Sequence, residues 1–235
     1  MAFSSPITRF DKAGYYFIGL ILVVILGFWP TYFGKFFDGT AEFNFYFHFH
    51  AITASLWVFS LIAQPILIRR GNYKRHRQIG KFSYLLMPLI FISVLLLAHH
   101  RSDPASDSMA FNLWFPLKDL IILGTMYGIA VKYRKRMAIH ARGMIVAGMV
   151  LIEPALSRFI AWAFIGMPAA YLITIFTVYA ILIILIFLER DHKEGRWIFP
   201  LALGMFFMVH SVIVFELRIG VWESFARWFV SLPLT

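Results

Sequence analysis

Two histidines stand two positions apart, at His48 and His50, in a segment where phenylalanine occupies every second position (EFNFYFHFH, residues 42–50). Neutral imidazole nitrogens bind zinc, copper and iron, so a His-x-His pair predicts a metal site when both side chains point to one side. An extended chain meets that condition. In a helix, residues two apart diverge by about 200°, and only one histidine then faces inward. The sequence is compatible with both geometries.

Two further histidines are expected near the same face of the protein. His100 closes one apolar run, and His210 lies inside the last one. Imidazole groups gathered at one face of a membrane protein predict a pocket for a transition metal (zinc, copper or iron) or for haem. The residues predicted to bind the metal are His48, His50, His100 and His210.

Four charged residues fall inside apolar runs, at Lys118, Asp119, Glu153 and Arg158. An ionisable side chain within a membrane is costly and normally faces a partner or a water-filled cavity. Asp119 can form an ion pair with Arg158, and Lys118 can pair with Glu153 or extend to the interface. Glu153 precedes Pro154, which predicts a kink. Asp119 and Glu153 are therefore also candidate catalytic or proton-handling groups.

A second pair of histidines, His76 and His140, precedes the third and fifth apolar runs within HRQIG and IHARG. Two histidines at one membrane level can clamp the iron of haem b, with Arg77 and Arg142 available for the propionates. Arg158 is a further candidate cofactor-binding residue. The alternative is a pair of basic motifs that contact the membrane interface.

The composition places these residues in a membrane protein. Hydrophobic residues make up 60% of the 235 positions and charged residues 14%, against roughly 25% charged residues in soluble domains. Because there is no cysteine, disulfides, thiolate metal sites and a cysteine nucleophile are excluded. The net charge of +10 lies in short loops, which favours contact with the lipid bilayer over nucleic acid.

Seven apolar runs predict an all-α, polytopic bundle of seven transmembrane helices in a single domain, residues 1–235. Arg9 and Lys12 precede the first run as in a signal peptide, but the run is long and lacks a small-x-small cleavage site, so a retained helix is expected. The predicted spans are residues 13–33, 45–68, 82–100, 111–131, 143–166, 169–188 and 197–217.

The connections predict how the bundle is oriented. Three alternate loops are densely basic, within RRGNYKRHRQIGK, KYRKRMAIHAR and ERDHKEGR, whereas the loop RSDPASDSMA is weakly charged or acidic. Basic loops stay in the cytoplasm, so the N-terminus is predicted inside and the C-terminus outside a bacterial inner membrane. Residues 218–231 predict an amphipathic helix that lies in the outer interface.

The combination of HFHAITASLWVFSLIAQ, HRQIG, FPLKDL and IHARGMIVAGMVLIEPALSR resembles an uncharacterised group of bacterial polytopic membrane proteins. The resemblance covers residues 47–159 and implies a role for these polar positions without assigning a reaction. A looser similarity to b561-type cytochromes rests on paired histidines, and the chain departs from that pattern because the fourth helix has no histidine to pair with the second.

Three functions remain open at the level of sequence. The first is a membrane protein with an outward-facing, histidine-rich pocket that binds a transition metal or haem b for redox chemistry or metal handling. The second is a zinc-dependent membrane hydrolase with Glu153 or Asp119 as the base, although only His210 occupies the last helix, where such hydrolases carry an H-x-x-x-H motif. The third is a transporter or an accessory subunit that packs with other membrane subunits.

Overall fold

The computed structural model describes residues 12–41 and 44–235. Regular structure within these ranges is helical, with no β-strand, and this confirms the predicted all-α class. Arg9, Glu42 and Phe43 lie outside the described residues. The α-helices are α1 (Ala13–Gly27), α2 (Phe45–Arg69), α3 (Tyr73–His100), α4 (Met109–Lys132), α5 (Met137–Met149), α6 (Ile152–Ile160), α7 (Met167–Leu188), α8 (Ile198–Val214) and α9 (Gly220–Val230).

Five helical segments in the described ranges are long and apolar enough to cross a membrane. They are α2, α3, α4, α7 and the segment Met137–Ile165, which contains α5 and α6. A sixth is present if α1 and the bent segment Trp29–Phe36 form one span, and the shorter α8, with 17 residues, is also apolar. Helices of this length and composition indicate a multi-pass membrane protein.

Two of the predicted spans are interrupted. After α1 the chain bends by 53° into Trp29–Phe36, which begins with a π-helical turn that contains Pro30. The predicted fifth span is divided where α5 gives way to α6, near Val150. Pro154, four residues later, has no N–H to donate to the Val150 carbonyl, so the helical hydrogen bond is lost at this position.

Several helix ends meet at what we call the basic end of the bundle, which carries the connections 70–72, 133–136 and 189–197. Arg142 in α5 forms an ion pair with Glu189, just after α7. His140 Nδ1 bonds to the carbonyl of Ala130 in α4 at 2.9 Å. The rings of His140 and His76, in the first turn of α3, have centroids 6.5 Å apart. The three basic loops of the sequence therefore lie at one end.

The opposite end is joined by a second set of contacts. Asn44, which caps α2, bonds to His100 at the last residue of α3. His99 Nδ1 and Thr235 Oγ1 lie 2.6 Å apart. Trp222 in α9 donates its indole N–H to the carbonyl of Ala110 in α4 at 2.9 Å. The C-terminus thus covers the ends of α3 and α4.

The core of the bundle is apolar, and so is much of its periphery. Ile122 and Met126 of α4 are fully buried together with Val146 of α5. On α7, by contrast, Phe176 and Phe187 remain largely exposed. Exposed aromatic side chains on the outside of a helical bundle are expected where lipid, rather than water, is the surrounding solvent.

Helix α9 has two apolar sides. Ala226 and Phe229 are buried against Met109 and Leu113 of α4. Val221 on the other side is 85% exposed. An amphipathic helix with an outward apolar side fits the interfacial helix predicted for residues 218–231.

Helix α1 packs against α6 through backbone contact at Gly27. A Cβ atom added at Gly27 would overlap the carbonyl oxygen of Ala155 in α6. Just beyond α6, Trp162 donates its indole N–H to the carbonyl of Leu26 at 2.8 Å. Only glycine permits this approach, because any side chain would separate the two helices.

We expect Gly27→Ala to lower the thermal midpoint of the detergent-purified protein, since the added methyl group overpacks the contact between α1 and α6 at a cost of about 1–3 kcal/mol. Gly19→Ala is the matched control, because a Cβ atom there meets no atom within 4 Å. The control should keep or raise the midpoint, as replacing a helical glycine gains about 0.5–1 kcal/mol. Size-exclusion chromatography after heating measures both, and equal midpoints would contradict the close packing of α1 on α6.

Candidate functional site

The segment that contains His48 and His50 is helical. Helix α2 begins at Phe45, and the Asn44 side chain accepts hydrogen bonds from the first backbone amides. His48 and His50 therefore diverge by about 200° around the helix. His48 Nδ1 lies 3.1 Å from the Tyr32 hydroxyl, whereas His50 Nδ1 lies 3.3 Å from the Ser93 hydroxyl. The extended geometry that would direct both histidines to one ion is not present.

The other two predicted metal ligands also have separate environments. His100 bonds to Asn44, and its ring lies 4.9 Å from the Tyr46 ring. His210 is buried in the middle of the bundle. Across residues 12–41 and 44–235, no three His, Asp or Glu side chains are grouped closely enough to hold one metal ion. The outward-facing metal site remains a prediction that rests on the sequence.

Ionisable side chains do gather where α4, α6, α7 and α8 meet. Lys118 Nζ donates to the carboxylate of Glu153 and, at 2.7 Å, to that of Asp119. His210 Nε2 lies 2.7 Å from the second carboxylate oxygen of Glu153, and His210 Nδ1 lies 3.1 Å from the Tyr179 hydroxyl. We call these five residues the Glu153 cluster.

The centre of this cluster is removed from solvent. The side chains of Lys118 and Glu153 are 0% and 3% exposed, and that of His210 is 1% exposed. Asp119 is more accessible, with 20% of its side chain exposed. Each oxygen of Glu153 has its own partner, so the buried carboxylate is hydrogen-bonded as well as paired, as a buried charge requires.

Of the two pairings considered from the sequence, one is formed. Lys118 pairs with Glu153. Asp119 bonds to Lys118 rather than to Arg158, so the predicted Asp119–Arg158 ion pair is wrong. The Arg158 guanidinium donates to the Pro154 carbonyl at 2.7 Å and lies 4.9 Å from the centroid of the Phe28 ring.

The basic end contains a cavity of about 530 Å³ between α1, α2, α3, α4 and α5. Much of its lining is apolar, and Gln64 and Tyr127 add polar groups. No aspartate or glutamate is found among the described residues that line it. The basic and histidine residues that line it are His76, Arg77, Lys81, Arg134, Lys135 and His140.

Each histidine of this cavity has one ring nitrogen that makes no hydrogen bond to the described residues. His140 Nδ1 bonds to the Ala130 carbonyl. A carbonyl only accepts, so Nδ1 carries the hydrogen and Nε2 retains its lone pair. His76 Nδ1 is buried and has no hydrogen-bond partner within the described part of the chain, as is also true of Gln64 Oε1. Buried polar atoms without partners require an explanation.

The remaining predicted cofactor-binding residues fall in three places. Arg77 lines the cavity with His76 and His140. Arg142 is fully buried and bonds instead to Glu189 and, at 2.8 Å, to the Ala138 carbonyl. Arg158 does not line the cavity and lies in α6, where it contacts Phe28.

Some of the contributing residues were not predicted from the sequence. Tyr179 completes the Glu153 cluster, and Gln64 and Tyr127 line the cavity, although none of the three is charged. Glu189, the partner of Arg142, ends the apolar run of α7. Of these residues, only Glu189 has a sequence signal, because a charged residue at the end of an apolar run stands out.

Comparisons of the chain with known protein families, with curated proteins and with solved structures find no match. The class of the protein is therefore defined by its own helices. Within the described residues, five or six segments can cross a membrane, and the same residues form the buried Glu153 cluster and the basic cavity.

Lys118→Met is expected to lower the free energy of unfolding by about 3–5 kcal/mol, because it leaves the Glu153 carboxylate buried with too few partners. The double variant Lys118→Met/Glu153→Gln removes both charges and should recover most of that loss. Asp119→Asn, at the more exposed position, should cost less. Unfolding in mixed SDS micelles gives all three values, and a double variant no more stable than Lys118→Met would show that the pair is not formed.

Proposed function

We propose that the protein is a multi-pass, haem-binding membrane protein in which His76 and His140 ligate haem b inside the cavity at the basic end. The observation that carries the proposal is the pairing of these two rings, 6.5 Å apart between centroids, at a cavity of about 530 Å³. Pockets that hold cofactors commonly measure about 300–1,000 Å³.

The spacing of the two rings suits a single metal ion between them. Metal–imidazole bonds are about 2.0 Å long, so one ion between two imidazoles holds the ring centres roughly 6 Å apart. The hydrogen bond from His140 Nδ1 to the Ala130 carbonyl would fix this ring and leave Nε2 to hold the iron, as is usual for metal-bound histidines. The unpartnered Nδ1 of His76 would supply the second lone pair.

The rest of the cavity matches the two halves of haem. Its apolar wall would accommodate the porphyrin, since cofactor pockets are mostly apolar with a few polar groups. Arg77, Lys81, Arg134 and Lys135 supply positive charge, and carboxylates such as the propionates bind well to arginine. The absence of lining carboxylates among the described residues removes a source of repulsion.

Bound haem b would supply one-electron transfer, with a potential that depends on its axial ligands and its surroundings. The chain itself would hold the group, with the two histidines as ligands and the basic side chains on the carboxylates. Gln64 and Tyr127 face the same cavity and are the polar groups available to orient it. This function keeps the haem and redox part of the first sequence-based hypothesis, but assigns it to the separate candidate pair His76 and His140 at the basic end and not to the outward-facing pocket.

We further propose seven membrane spans, with α1 and its bent continuation as the first and α8 as the last, and with the N-terminus in the cytoplasm. The gathering of the basic connections at one end supports this orientation, since basic loops are retained inside. Arg69, at the end of α2, lies over the Tyr15 ring near the start of α1, which brings the beginning of α1 to the same end. The protein would then lie in a bacterial inner membrane, with α9 in the outer interface.

Titration of haemin into the detergent-purified protein should give one bound haem per chain, with the absorbance spectrum of a six-coordinate, low-spin iron. We expect His76→Ala and His140→Ala each to weaken binding by more than about tenfold and to give a five-coordinate spectrum, because one axial ligand is lost. His192→Ala is the matched control, since this histidine lies at the same end but outside the cavity.

Two results would overturn the haem assignment. One is a wild-type protein that does not bind haemin with one-to-one stoichiometry. The other is an unchanged spectrum in both histidine variants. Native mass spectrometry distinguishes a cavity that holds an anionic lipid instead, because the lipid mass would remain bound and would persist in the histidine variants.

The chain has no cysteine, so single cysteines report topology directly. Asp107→Cys, in the exposed loop between α3 and α4, should react with a membrane-impermeant maleimide in intact spheroplasts. Lys193→Cys, in the exposed connection between α7 and α8, should react only after the membrane is permeabilised, because basic loops stay inside. The reverse pattern would contradict the proposed orientation, and labelling of both from outside would contradict the number of spans.

A further inference from the structure

We infer that the Glu153 cluster is a path for proton transfer within the membrane, separate from the haem cavity. Its hydrogen bonds connect Tyr179 with His210, His210 with Glu153, Glu153 with Lys118, and Lys118 with Asp119. The three central groups are buried, whereas Tyr179 is half-buried and Asp119 is 20% exposed. The chain therefore begins and ends at the more accessible residues.

The direction of the bonds at His210 suits a relay. An ionised Glu153 only accepts hydrogen bonds, so His210 Nε2 is the donor, and Nδ1 accepts from the Tyr179 hydroxyl when the ring is neutral. Tyr179 can pass its proton to Nδ1 and regain one from water beyond it. The imidazolium then releases the proton on Nε2 to Glu153. Histidine can move protons in this way because one ring nitrogen accepts a proton while the other releases one.

The second half of the path runs through Lys118. Its ammonium donates to Asp119 and to Glu153 at once, so it can release a proton to Asp119 and take one from the protonated Glu153. Asp119 then returns a proton to water. One proton enters at Tyr179 and one leaves at Asp119, and Lys118 and Glu153 regain their starting charges. His210 is left with its hydrogen on Nδ1 and must return to the Nε2–H tautomer before the next proton passes.

The charged groups around the path are balanced before a transferred proton enters. The groups that face the cluster are Lys118 and Asp119 from α4, Glu153 and Arg158 from α6, Tyr171 and Tyr179 from α7, and His210 from α8. Two cations oppose two carboxylates when His210 is neutral, so a single mobile proton adds one charge. Asp119, whose side chain is 20% exposed, is the group through which the added proton would leave the cluster.

Stability alone does not account for such a cluster. Replacing a buried ion pair with apolar residues of similar volume is often neutral or stabilising, because desolvation offsets the attraction. The ion pair between Arg142 and Glu189 has the same side-chain exposures, 0% and 3%, as that between Lys118 and Glu153. Glu189 also lies 3.6 Å from His192 Nδ1, but that nitrogen makes no hydrogen bond to the described residues, and the pair therefore serves as an internal comparison.

The test uses full-length protein free of haem, reconstituted into liposomes that contain the pH indicator pyranine. A potassium diffusion potential set by valinomycin drives protons inward. We expect wild-type protein to raise proton influx above that of protein-free liposomes. His210→Gln keeps one donor and one acceptor but cannot exchange a proton between them, so influx should fall by at least about tenfold. Tyr179→Phe, which removes a single half-buried oxygen, should have the same direction of effect.

Glu189→Gln is the matched control and should conduct at the wild-type rate, because it disturbs a buried ion pair of equal exposure. The proposal is overturned if wild-type liposomes take up protons no faster than protein-free liposomes. It is also overturned if either His210→Gln or Tyr179→Phe, reconstituted as monodisperse protein, conducts like the wild type. Because no haem is present, neither result bears on the His76–His140 cavity.

Discussion

The bonding of Glu153 by two separate helices is the constraint on which half of the bundle depends. Lys118 reaches it from α4 and His210 reaches it from α8, while Tyr179 adds α7 through the histidine. Water is absent from hydrocarbon, so a carboxylate there must find these partners within the protein. The depth and rotation of the four helices must consequently be matched closely enough for these hydrogen bonds to form. The helical hydrogen bond lost at Pro154 gives α6 the freedom to meet that requirement.

The two candidate sites share one helix. Helix α4 contributes Lys118 and Asp119 to the Glu153 cluster and Tyr127 to the cavity, and its Ala130 carbonyl holds His140. Residues 118 and 127 are nine positions apart, or about 14 Å along a helix. A displacement of α4 would therefore alter both sites together, and it would couple the proposed electron transfer to the proposed proton transfer.

The sequence was sufficient for the fold class and for locating the charged residues inside apolar runs, and insufficient for their partners. Membrane class follows from apolar runs, and a charge inside such a run is conspicuous because of its cost. Which residue pairs with which depends on how each helix is rotated about its axis. Lys118 and Asp119 point about 100° apart on α4, so the sequence pattern did not show which of them faces Glu153 and which faces Arg158. The geometry of His48 and His50 was left undecided because alternating phenylalanine resembles a strand, whereas the Asn44 side chain caps a helix that begins at Phe45.

The close approach of Gly27 to Ala155 also bears on how the chain is assembled in the membrane. Helix α1 completes its packing only against a helix that emerges more than 120 residues later. Chains fold from the N-terminus during synthesis, so α1 can pack on α2 early, where Gly14 lies close to the Ile62 carbonyl, while its Gly27 face stays uncovered as α2 to α5 insert. A ribosome stalled before residue 155 would leave that glycine face of α1 open to any neighbouring helix.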